Sequence, residues 1–232
     1  MNFNRPVRAA FPKQTGLVTP GRQLGGDFPF HWCNLNRNPF GELSADERAA
    51  VAIVDFGTVL PKITCSHHAV QFLGDCGRGK TTRMLALCSR LKQSAYVYLA
   101  EDQPCPALPA AEPLLVDEAQ RLPRAARKML FASGVPLVLA THHDLQRPLM
   151  RNGYHVMTYR IGDQCDAALI QRIMNRRIEW CRLAPGKLPT LTLEDAELLH
   201  RRFGSDLRGA ESYLYESMQR QAFGHGEVRF VD

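Results

Sequence analysis

Gly74-Asp75-Cys76-Gly77-Arg78-Gly79-Lys80-Thr81 is the stretch that decides the reading of this chain. It satisfies G-x-x-x-x-G-K-[ST] at every fixed position. The apolar run Ala69-Val70-Gln71-Phe72-Leu73 precedes it as a buried strand would, and a helix-forming stretch from Thr82 to Leu91 follows. Strand, loop and helix in that order make a phosphate-binding loop. Gly77 and Gly79 let the backbone curl until its N–H groups face phosphate oxygens. The helix N-terminus adds a positive partial charge. Lys80 is expected to reach the β- and γ-phosphates, and the Thr81 hydroxyl to ligate Mg²⁺. Nucleotide contacts are expected along the whole loop, from Gly74 through Thr82.

A second run adds hydrolytic chemistry. Pro113-Leu114-Leu115-Val116-Asp117-Glu118 is a short apolar stretch ending in two carboxylates. Alone, two acids before a helix also suit a favourable first helical turn. Downstream of a phosphate loop they read as a pair with separate tasks. Asp117 is expected to hold Mg²⁺, usually through water. Glu118 is expected to polarise the attacking water as general base. The expected ligands are ATP and Mg²⁺.

Composition sets the frame. The 232 residues suffice for one nucleotide-binding core and a small appended subdomain. No stretch approaches the ~18 apolar residues of a membrane span, and Met1 to Pro6 carries no apolar secretory core. A cytoplasmic location is the expectation. The seven cysteines form no C-x-x-C pair, so zinc and redox motifs of that kind are absent. Net charge is +6, which permits nucleic-acid contact without demanding it. Arg121, Arg124, Arg127 and Lys128 follow the acidic run on an expected helix. They read either as a DNA-facing surface or as a solvated helix face.

The order of elements reads as α/β, a five-stranded parallel sheet followed by a small helical lid. Strands are expected at 68–73, 96–99, 114–117, 135–140 and 155–161, with helices over 44–54, 79–92 and 124–133. Ser44-Ala45-Asp46-Glu47 and Thr192-Leu193-Glu194-Asp195 have capping-box spacing. From residue 165 the pattern becomes helical, with helices ending near 180, 203 and 222. The segment between the second and third strands holds Pro104, Pro106, Pro109 and Pro113, so an extended crossover is expected there. The organisation expected is a flexible N-terminal arm over 1–32, an ATPase core over 33–163 and a lid over 164–232.

Phosphate loop, Asp-Glu pair, polar residue after strand four and arginine in a helical lid, in that order, resemble the AAA+ P-loop ATPases over roughly residues 33–222. Asp117-Glu118-Ala119-Gln120-Arg121-Leu122 is similar to compact bacterial transposition-helper and secretion-type ATPases, as is Asn38-Pro39-Phe40 ahead of the core. The resemblance implies an AAA+-type sheet and several further roles. A polar side chain after strand four senses the γ-phosphate, and Thr141 or His142 matches. Arg208, in Gly204-Ser205-Asp206-Leu207-Arg208, matches the lid arginine that reaches the phosphates. An arginine before strand five acts on the neighbouring subunit's nucleotide, with Arg151 the better fit and Arg147 the second. Adenine is placed against Asn38, Pro39, Phe40 and the lid. The resemblance also implies a homo-oligomer, ring or filament, that remodels or recruits double-stranded DNA or a protein. The short proline-rich crossover argues against threading of a substrate through a pore. Two other readings stand beside this one: a slowly hydrolysing nucleotide switch, and a small-molecule kinase.

Overall fold

The computed structural model describes residues 29–224 and 226–231. The expected N-terminal arm falls almost wholly on residues 1–28, outside the described residues. Five strands are seen: β1 (His68–Leu73), β2 (Ala95–Tyr98), β3 (Leu114–Asp117), β4 (Leu137–Thr141) and β5 (His155–Arg160). All pair in parallel, in the order β2-β3-β4-β1-β5. β3 and β4 are buried at every residue. That burial is why they read as unbroken apolar runs instead of alternating ones.

Alternate strand residues face opposite sides of the sheet. On one side Val70, Phe72, Leu115, Val138 and Ala140 pack with Met84 and Leu87 of helix α2 (Lys80–Cys88). On the other, Ala69, Leu114, Val116, Leu137 and Leu139 pack with Leu130 and Phe131 of α3 (Arg124–Ala132). Leu149 of the short α4 (Gln146–Met150) joins them. Gln71 is the polar exception in β1 and is fully buried. Its Nε2 donates to Asp144 and Thr158, and its Oε1 accepts from the Leu145 N–H, so no donor or acceptor is stranded.

The helices start where side-chain caps allow. Ser44 and Glu47 complete a capping box for α1 (Ala45–Val51). Asp166 caps α5 (Ala167–Trp180), Thr192 and Asp195 box α6 (Leu193–Phe203), and Asp206 caps α7 (Leu207–Arg220). Several helices stop short of the expected ends, α1 by three residues and α2 by four. The pattern missed α4 because Pro148 sits in it. A proline is tolerated in a first turn, where the N–H has no intrahelical partner. No helix forms between β2 and β3, as the prolines there indicated.

The last three helices pack on each other through a third cluster. Ile170, Met174 and Ile178 face Leu199, Leu214 and Met218 at helical spacing. Phe30, Leu35, Phe40 and Phe230 complete this cluster. Phe30, Leu35 and Phe40 thus pack with the lid helices, although they precede the sheet in sequence. A sequence cannot display such a contact, because its two halves lie more than a hundred residues apart. Among the described residues no helix is long and apolar enough to cross a membrane.

Candidate nucleotide site

Strand register brings the chemistry together. Leu73 of β1 pairs with Thr141 of β4, and Val116 of β3 pairs with Leu139 of the same strand. The phosphate loop, Glu118 and His142 thus leave the sheet at one level, at its carboxyl edge. Open parallel sheets bind ligands there.

The loop curls where glycine allows it. Gly77 and Gly79 have φ of +78° and +88°, in the left-handed region. Gly79 stands at the N-cap of α2 without a side-chain cap, so the first N–H groups of the helix face the loop. Lys80 is buried, and its Nζ donates to Gly74 O and Asp75 O, both at 2.8 Å. Burial pulls the Lys80 ammonium below its usual range, against the opposing charge of Glu118. Asp75 pairs with Arg78 at 2.6 Å, and Thr82 lines the cleft.

Asp117 is completely buried at the end of β3. Tyr96 Oη donates to Oδ2 at 2.9 Å, the Glu118 N–H donates to Oδ1 at 3.0 Å, and the Thr81 hydroxyl is on the same side of the carboxylate. Burial raises the Asp117 carboxyl above its usual range, and Thr81 and Tyr96 act the other way. Burial likewise pushes the Tyr96 phenol up. Among the described residues no cluster of three or more His, Cys, Asp and Glu side chains is placed to hold a metal. Mg²⁺ does not require one. It takes oxygen ligands and keeps waters and phosphates alongside one or two protein groups. A buried carboxylate beside a hydroxyl, next to a phosphate loop, fits that chemistry.

Glu118 has φ of 59° and ψ of 40°, a left-handed conformation that costs a non-glycine residue about 1–3 kcal/mol. Its carboxylate receives Gln120 Nε2 at 2.7 Å and lies 3.5 Å from His142 Nε2. His142 Nε2 is also 3.4 Å from Lys80 Nζ and 3.8 Å from Cys76 Sγ. Thr141 is turned inward: its hydroxyl donates to His143 O and accepts from the His143 N–H. Of the two candidate sensors, His142 is the one beside Lys80 and Glu118.

The lid closes the other side. A methyl group at Gly77 would meet Asp206 Oδ1 at 2.1 Å and Arg208 Cβ at 3.3 Å, so the start of α7 rests on the loop. Arg208 lines the cleft. Gly77→Ala combines that collision with left-handed backbone, which alone costs about 1–2 kcal/mol. The expected result is a lower urea midpoint together with loss of ATP binding. A variant with wild-type midpoint and affinity would show that the lid does not rest on Gly77.

One expectation was misplaced. Asn38, Pro39 and Phe40 do not line the cleft. Asn38 Nδ2 donates to Tyr215 O and Gln219 Oε1, and Phe40 is buried against Phe230 in the lid cluster. The apolar wall comes from Leu43, Val51, Ile53, Val54, Ile173 and Leu207 instead. Arg147 and Arg151 are exposed and line no part of their own chain's cleft. The sequence reading also missed Tyr96, Gln120 and Arg177. Arg177 was detectable: it interrupts the stripe Ile170, Met174, Ile178 at an inward position. It is buried, pairs with Glu211 at 2.7 Å, and donates to the carbonyls of Pro39 and Gly41. A comparison of the chain with protein-family models found no match, and a comparison with curated proteins found none.

Proposed function

We propose that this chain is an ATP-binding and ATP-hydrolysing protein of the AAA+ type, cytoplasmic, working as a homo-oligomer. The observation that carries this reading is the convergence of Lys80, Glu118 and His142 on one phosphate loop at the sheet's carboxyl edge. The position of β4 between β1 and β3 supports the AAA+ likeness, because it sets the polar residue after β4 between loop and acid.

Water attacks the γ-phosphorus in line. The new O–P bond forms as the bond to the β–γ bridging oxygen breaks, leaving ADP and inorganic phosphate, and Glu118 takes the water's proton. Lys80 and the N–H groups at the start of α2 offset the phosphate charge. Thr81 and Asp117 would hold Mg²⁺, which would neutralise charge on the phosphate oxygens. His142 contacts the γ-phosphate side of the site, and Arg208 reaches in from the lid. The apolar wall around Val51, Ile53 and Ile173 takes the base.

Arg151 or Arg147 completes the site of a neighbouring subunit, which suits their exposure. Arg124 and Lys128, exposed on α3, offer a basic face to double-stranded DNA. Free-phosphate release, measured against protein concentration with and without DNA, tests this reading. Turnover per subunit should rise with concentration and fall about 10³-fold in the variant that removes the trans arginine, Arg151→Ala or Arg147→Ala. Tight ATP binding with negligible turnover under every condition would make the chain a nucleotide switch. DNA binding that ignores salt would remove DNA as the partner.

A further inference from the structure

We propose that Gln120 is the positioning residue for Glu118, tying the water-activating carboxylate to the end of β4. This rests on the reading of Glu118 as the general base. Gln120 lies in the short 3₁₀ turn Ala119–Arg121, directly after the acidic pair. Its Nε2 donates to Glu118 Oε2 at 2.7 Å, and its Oε1 accepts the backbone N–H of His142 at 3.2 Å. The two partners leave the amide one orientation. An ionised carboxylate only accepts and a backbone N–H only donates, so nitrogen must face Glu118 and oxygen must face His142.

Other donors are farther from the carboxylate. His142 Nε2 is at 3.5 Å, and Arg121 at 3.7 Å is engaged elsewhere, on Leu99 O and Glu101 at 3.0 Å. Gln120 is thus the closest donor to Glu118 among the described residues. The backbone of Glu118 is fixed by its left-handed conformation and its N–H bond to Asp117. The side chain has no equivalent anchor except Gln120. Without it the carboxylate is free to swing toward the Lys80 ammonium, and a base out of line with its water loses rate steeply.

The bridge also has a second end. Because Gln120 grips the main chain of His142, the base and the residue after β4 move as one unit. A shift of the β4 end is passed to Glu118 through a single amide.

The test compares Gln120→Met and Gln120→Glu with wild type and with Glu118→Gln. Methionine keeps the length and removes both hydrogen bonds. Glutamate keeps the shape and sets a like charge against Glu118. Turnover at saturating ATP should fall about 10- to 100-fold in Gln120→Met and further in Gln120→Glu, with ATP affinity unchanged in both. In the Glu118→Gln background, Gln120→Met should add no further loss, because the residue acts only through Glu118. Wild-type turnover in Gln120→Met, equal losses of turnover and affinity in both variants, or additive losses in the double variant overturn the proposal alone. A wild type that releases no phosphate overturns the reading of Glu118, and this proposal with it.

Discussion

On the ATPase reading proposed above, Glu118→Gln is expected to slow ATP turnover steeply and to leave ATP binding in place. Glutamine has the volume of glutamate and keeps an oxygen that accepts from Gln120 Nε2, so the turn and the left-handed backbone survive the change. What disappears is the ability to take a proton. A positioned general base contributes about 10²- to 10⁴-fold, so single-turnover phosphate release should slow by that factor. Affinity for a fluorescent ATP analogue should change by no more than about threefold, because Lys80 and the helix N-terminus, to which the proposal assigns the phosphate contacts, are untouched. A variant that hydrolyses within threefold of wild type would mean that Glu118 is not the base.

The second large effect concerns stability. Arg177→Met removes one buried guanidinium and three interactions at once: Glu211 loses its ion pair, and the carbonyls of Pro39 and Gly41 lose their donor. Breaking a buried pair from one side costs about 3–5 kcal/mol, and the partial exposure of Glu211 puts this case at the low end. The expected loss is about 3 kcal/mol, read from the urea midpoint at constant slope. Arg177→Lys keeps the charge without the planar fork, and should recover only part of the loss. Nucleotide affinity should fall alongside stability, since Arg177 lines the cleft and joins residues 38–41 to the lid. A midpoint unchanged in Arg177→Met would show that the lid holds that segment by apolar packing alone.

Much of this architecture was legible because it is local. The loop signature, its flanking strand and helix, the capping residues and the prolines that prevent a crossover helix all act within a few positions of themselves. The apolar runs of β3 and β4 announced a sheet covered on both faces. The rest was hidden because it joins distant parts of the chain. Tyr96 reaches Asp117 across neighbouring strands, and Arg177 reaches Pro39 over an interval of 138 residues. The role of Asn38 and Phe40 as base contacts came from the family resemblance alone. The structure uses them to seal the lid, since an apolar ring and an asparagine that satisfies its own turn are suited to packing. The choice between Thr141 and His142 needed the hydroxyl's partners, which only the fold supplies.

The contact between Asp206 and the phosphate loop carries a further consequence. The carboxylate that caps α7 lies against Gly77, where the loop would cradle an anion. An incoming polyphosphate meets a like charge at close range, and because Asp206 is exposed, added salt weakens the repulsion. Ligand and cap compete for the same space beside Gly77. Asp206 holds its place by accepting from the Gly209 N–H, so a ligand that displaces the carboxylate also uncaps α7.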